Sequence, residues 1–245
     1  MTGRLILAEL IRSVYDVRIW CLGVIGIGFS CLILWGGDTL PENLAAEQVS
    51  MLCDGVAGGF TFFSLFCLLL GGIVVTRDYS SSLVARQARL GSVEVQLVVA
   101  KVATVVIWCA IWTTLMVATG IIVGAIRLSA LDFGWQTSRS WGVLLGGNLI
   151  AGVACGLCGA FLGFITRSTV VTVLLQLAVV LFAAALLAKL SVAQYIHPGL
   201  VAALSFGTGD IAKLSFGKAV AVEAAWCAAF LAATVVAIRV RESQS

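Results

Sequence analysis

The chain has 245 residues, 61% of them hydrophobic and only 11% charged, whereas a soluble domain is roughly 45–50% apolar and about 25% charged. That excludes a soluble globular protein and leaves no space for a large soluble catalytic domain. Fifteen Lys and Arg against twelve Asp and Glu give a formal charge of +3, too small to indicate a nucleic-acid partner.

The first 18 residues mix Leu5, Ile6, Leu10, Ile11 and Val14 with Arg4, Glu9, Arg12, Asp16 and Arg18. At helical periodicity much of the apolar set falls on one stripe, which predicts an amphipathic helix lying along a membrane surface. The segment does not read as a signal peptide, because its apolar run starts late and no small-residue cleavage site follows. Apolar runs long enough to cross hydrocarbon then predict six spans, at about 19–35, 56–75, 102–126, 142–165, 170–188 and 219–238. The expected fold is therefore an all-α polytopic membrane protein. No linker, repeat or low-complexity tract divides it, so residues 1–245 read as one transmembrane domain.

Orientation follows from the cations. With the amino terminus inside, Arg4, Arg12, Arg18, Arg77, Arg86, Arg89, Lys101, Arg167, Arg239 and Arg241 lie on the cytoplasmic side, and Arg127, Arg139, Lys189, Lys213 and Lys218 lie outside. That excess of inner cations predicts both termini cytoplasmic and a multi-pass protein of the cell membrane.

Several chemistries are missing. His197 is the only histidine, which excludes multi-histidine metal sites and most imidazole-based catalysis. No H-E-x-x-H or G-x-S-x-G occurs, and Gly217-Lys218 is followed by Ala219, so no phosphate-binding loop is present. Any ATP used must be bound by another chain. Of the eight cysteines, all but Cys53 fall within predicted spans, where thiols behave as small apolar groups. Cys155 and Cys158 form a C-x-x-C, but a thiolate in mid-span without a nearby cation is strongly opposed, so packing is preferred to redox exchange. Around that pair, Gly142 and Gly146, Gly152 and Gly156, and Gly159 and Gly163 have the spacing that lets a second helix approach closely.

Four polar residues inside spans are candidates for a transport pathway: Asn148, Thr172, Gln176 and Glu223. For the first three, a hydrogen bond across helices is the simpler role. Glu223, the sole acidic residue inside a predicted span, can reach the headgroups, pair with Lys213 or Lys218, or couple transport to protons.

The segment from Thr76 to Lys101 carries the most information. Its serines can cap a helix start, Gly91 can end a short helix, and Ser92 with Glu94 can begin the next one. Arg86 and Arg89 share a helical face, which predicts a short helix along the inner membrane surface. An ordinary positive-inside loop is the plainer alternative.

The order of features resembles the type-2 ABC transporter permeases, in which an acidic residue leaving the second span precedes a Gly-Thr pair, a Pro-x-Ser-Arg turn and a Lys at the foot of the third span. Here Asp78 takes the acidic position, Ser81 and Ser82 the pair, Gly91-Ser92 the turn, and Lys101 the closing Lys. Asp replaces Glu, the Pro is missing, and Glu94 stands near the expected Arg. The resemblance extends to the surface helix, the six spans, and the apolar segment 200–206 before the last span.

It implies an exporter subunit that binds no cofactor itself, paired with a second permease copy or a related permease. ATP and Mg would sit on separate ATP-binding subunits, and membrane lipid would surround the spans. Arg77, Asp78, Leu83, Arg86, Arg89, Gly91 and Lys101 would form the coupling segment, and efflux of a hydrophobic or amphipathic substrate would follow. The competing readings are a secondary transporter or channel without an ATPase, a haem-exporter-like membrane subunit, and a membrane enzyme or redox protein.

Overall fold

A computed structural model of the chain describes residues 2–35, 53, 61–80, 94–129, 141–178 and 215–242. Among these the protein is wholly helical: α1 (Thr2–Val14), α2 (Val17–Trp35), α3 (Thr61–Ser80), α4 (Glu94–Ser129), α5 (Trp141–Thr166), α6 (Thr169–Ala178) and α7 (Phe216–Glu242). Three stretches are long and apolar enough to cross a membrane, Gln96–Ile126, Leu145–Thr166 and Phe216–Ala237, and the bent pair α1–α2 makes a fourth. Large apolar side chains also face outward on most helices, among them Val24, Phe29, Ile122, Leu174 and Val236. Water would penalise such a surface and lipid does not.

Two helices outrun the spans that apolar counting assigns. The second span was expected to end at residue 75, yet α3 continues through Arg77 and Asp78 to Ser80. The third was expected from residue 102, yet α4 already includes Lys101 and starts by Glu94. Counting stops at charged residues because hydrocarbon rejects them; these helices continue because their charges are neutralised within the protein, as described below. Of the expected span 170–188, the structure describes the part in α6, and of 56–75 the part in α3.

A 65° bend separates α1 from α2. Asp16 caps α2, its carboxylate accepting the Arg18 N–H at 3.1 Å, the usual role of Asp before a first helical turn. Trp20 Nε1 donates back to the Val14 carbonyl at 2.8 Å and closes the corner. Leu7, Ile11 and Val14 form the exposed stripe of α1, while Glu9 and Ser13 on the opposite stripe are buried. The polar face of α1 therefore points into the protein and its apolar face points out.

The hub is α5, which packs on α3, α4, α6 and α7. Its glycines divide by direction. A Cβ on Gly152 would overlap Thr113 of α4, and one on Gly156 would overlap Cys109 of the same helix. On the other side, Gly159 lies against the Leu68 carbonyl of α3, and a Cβ on Gly163 would stand 3.1 Å from that of Val75. Gly142 and Gly146, by contrast, face open space among the described residues. Periodicity identified a packing helix; only the last four of its six named glycines meet another helix.

Between α5 and α6 the chain turns at Arg167, whose φ of 54° lies in the left-handed region. That conformation costs a non-glycine residue about 1 kcal/mol. Two contacts hold it: its N–H donates to the Gly163 carbonyl at 2.9 Å, and its guanidinium stands 5.2 Å above the Tyr79 ring.

Glycine substitutions separate the two classes. Gly159→Leu forces a side chain into the Leu68 backbone and is expected to destabilise the bundle by about 3 kcal/mol or more. Gly142→Leu should leave the thermal unfolding of detergent-purified protein unchanged. Equal melting curves for the two variants would contradict this packing.

Candidate functional site

At the end of the bundle where α3 finishes and α4 begins, six ionisable side chains converge. Arg77 Nη2 meets Glu9 Oε2 at 2.9 Å and its Nη1 meets Asp16 Oδ2 at 3.2 Å. Asp78 Oδ1 receives Arg12 Nη1 at 2.7 Å, and Asp78 Oδ2 pairs directly with Lys101 Nζ. Lys101 also lies 3.7 Å from Glu9. Three cations, Arg12, Arg77 and Lys101, thus balance three anions, Glu9, Asp16 and Asp78.

Burial gives this arrangement its energetic weight. The Asp78 side chain has no exposed surface and that of Lys101 has 1%, so neither can fall back on water. Taking single ions out of water costs several kcal/mol each, which only close, mutually satisfied pairing offsets. The cluster joins α1, α3 and α4 through charges of opposite sign, and Trp108 of α4 adds an indole N–H donated to Ser13 of α1. Ser13 in turn donates to the Leu10 carbonyl at 2.7 Å. Trp108 also meets Trp20 edge-on at 5.5 Å between ring centres, and Trp20 meets Trp112 at the same separation. A helical corner is thereby fastened to the foot of α4 by both ions and rings.

Of the seven residues nominated for a coupling segment, Arg77, Asp78 and Lys101 are in this cluster. Their side chains are turned inward, toward α1 and each other, and are not free for a docking partner. Leu83, Arg86, Arg89 and Gly91 lie outside the described residues. The sequence reading missed Glu9, Arg12 and Asp16 as members of the site, although the signal was present. Glu9 and Arg12 are three residues apart and share a face of α1, and Asp16 follows in the corner before α2; the sequence predicts an amphipathic surface helix there but assigns these charges no partner.

The four nominated pathway residues also separate. Gln176 is buried and donates from Nε2 to the Leu68 carbonyl at 3.1 Å and the Gly159 carbonyl at 3.4 Å, joining α6 to α3 and α5. Thr172 donates to the Ser168 carbonyl at 2.7 Å and pairs with Thr166, while Thr169 donates to Thr76 at 2.9 Å. Asn148 is buried on α5. The bonds of Gln176 and of the threonines are helix-to-helix fastenings. Glu223 differs, because with Cys227 it lines a cavity of about 470 Å³ between α4, α5 and α7. The other walls are apolar, including Ala110, Leu149, Val153 and Val220. A smaller cavity of about 220 Å³ shares the Leu149 wall and extends along α4 past Thr114 to Ile121.

The position of Glu223 changes its meaning. It lies near the start of α7, where the sequence left open reaching the headgroups, pairing with Lys218 or with Lys213, which is outside the described residues, or coupling to protons; only 2% of it is exposed. It stands beside Cys158, itself eight residues, about 12 Å, before the far end of α5. Helix α7 is offset along α5, and this carries its carboxylate into the depth of the bundle. Lys218 points away into the surroundings.

No protein-family model matches this chain, and no curated protein matches it.

Arg77→Ala should leave Glu9 and Asp16 without their shared partner and cost about 3–5 kcal/mol, the range for breaking a buried ion pair from one side. Replacing Asp78 by Leu together with Lys101 by Met should cost less than either single change, because no lone charge is left buried. Thermal melts of the three variants and the parent protein measure this. A double variant as unstable as the sum of its parts would show that the two charges are not coupled.

Proposed function

We propose that the chain is the membrane-spanning permease subunit of an ATP-driven exporter of the type-2 ABC class, with ATP hydrolysed on a separate subunit. The observation that carries this reading is the Asp78–Lys101 pair. The family resemblance places these residues at the start and finish of the coupling segment. Their contact holds the end of α3 to the start of α4, and Glu9 and Arg12 tie both to α1.

Such a segment is suited to transmitting a push. A short helix at its tip, around Leu83 to Leu90, would receive the movement of an ATPase closing beneath it. The ion cluster would pass that movement to α1, α3 and α4 together, since its members cannot separate without exposing unpaired buried charges. Both termini would lie in the cytoplasm, and the charged end of the bundle would be the inner one, in accord with the excess of cations expected there. The cavity beside Glu223 would belong to the pathway of a hydrophobic or amphipathic substrate, with a second permease copy or a related chain completing it.

A proton-coupled secondary transporter is the second reading, favoured by one observation: the single carboxylate inside a span is buried and lines a cavity, as coupling residues do.

Charge reversal of Arg86 and Arg89 distinguishes them. The exporter reading expects lost copurification of an ATP-binding subunit and loss of ATP-dependent export in vesicles; unchanged assembly and export would remove it. The second reading expects Glu223→Gln to abolish the pH dependence of transport in vesicles without ATP. The exporter reading expects ATP-driven export by that variant to keep its pH profile.

A further inference from the structure

We propose that Cys158, Glu223 and Cys227 form a binding site for a thiophilic divalent cation of the Zn²⁺ and Cd²⁺ type, clamping α7 to α5. Cys158 comes from α5, and Glu223 and Cys227 come from successive turns of α7, which turn the same way because residues four apart share a helical face. Their donor atoms all lie within 4.8 Å of one another. Tetrahedral Zn²⁺ with bonds of about 2.0–2.3 Å holds its ligand atoms roughly 3.5 Å apart, so rotation of these side chains suffices to close the site. Two sulfurs and one oxygen select a borderline-soft ion; Ca²⁺ and Mg²⁺ take oxygen ligands instead.

Two further features point to a ligand. All three groups become anionic on losing a proton, and they converge at a cavity none of whose lining residues is basic. A divalent cation neutralises such a set, with the thiol protons released to solvent on binding. Glu223 and Cys227 also line the cavity, which gives the ion a way in and leaves space for a water or another donor as fourth ligand. Cys158 and Glu223 are each 2% exposed, so the site is shielded once filled. Helix α7 touches the bundle chiefly through α5, and a bridge between these two helices would hold it where packing alone is thin. The proposal is independent of the exporter reading.

The experiment uses the full chain, purified in detergent under reducing conditions and then freed of reductant, with Cd²⁺ alone as probe. One tightly bound Cd²⁺ per chain is expected, giving a thiolate-to-metal absorption band, an affinity that rises with pH, and a higher melting temperature. Cys158→Ser and Cys227→Ser should each remove the band, and Glu223→Gln should weaken binding roughly tenfold or more. A variant with Ser at Cys21 and Cys31, which lie on α2, and at Cys67 on α3 should bind as the parent does. Parent protein that elutes as a folded species yet binds no Cd²⁺, or a band that survives in Cys158→Ser and Cys227→Ser, would overturn the site. Loss of export with Cd²⁺ binding intact would refute the transport reading alone.

Discussion

A buried charge must find its opposite, and in this protein that requirement organises one entire end of the bundle. Arg77 and Asp78 are adjacent on α3, Lys101 lies inside α4, Glu9 and Arg12 are on α1, and Asp16 is in the corner between α1 and α2. No two of these helices can satisfy the set between them: Arg77 reaches Glu9 of α1 and Asp16 of the corner as well as its neighbour Asp78, and Asp78 meets Arg12 of α1 and Lys101 of α4 besides Arg77. The orientation of α1, the length of α3 and the starting depth of α4 all follow. Because breaking one member leaves another stranded in a medium of low dielectric, the cluster acts as a unit.

Above that end, packing is governed by size. Helices in lipid gain little from apolar burial alone, so close approach and backbone contact matter more. The α5 glycines answer this on two sides, toward α4 at Gly152 and Gly156 and toward α3 at Gly159 and Gly163. Gly71 of α3 returns the contact at the Gly156 carbonyl. Where backbones come this close, carbonyls become available to side chains of a third helix, and Gln176 uses two of them. Polar residues of the spans thus serve chiefly to fasten helices, and the exception is on the helix with the least cover. Over its most apolar stretch α7 is only 17% buried, and it brings Glu223 and Cys227 to a cavity.

Much of this could be read from residue order. The helical class, three to four of the apolar spans, an amphipathic helix at the amino terminus, the break near residue 167 and the packing role of the later α5 glycines all follow from hydropathy and spacing, which are local properties. Span ends could not be read that way: residues 75 and 102 seemed to be limits because Arg77 and Lys101 are costly in hydrocarbon unless paired, and pairing is a property of the fold. For the same reason Asp78 and Lys101 were named without their partners. Glu9, Arg12 and Asp16 were on view as the charges of an amphipathic segment but had no assigned partners, since an amphipathic pattern tells which residues share a face and not which way that face points.

Sequence by itself therefore determined the material: a lipid-compatible helical chain, short of catalytic groups, with its few charges gathered near span ends. Tertiary structure decided the pairings. It turned the charged face of α1 inward and closed Asp78 on Lys101 across the segment between them. It also offset α7 along α5 until Glu223 stood beside Cys158. Each of these joins residues far apart in the chain, where periodicity carries no information, and each is settled by the same physical condition, that charge and polarity inside a membrane protein must be met by another part of the protein.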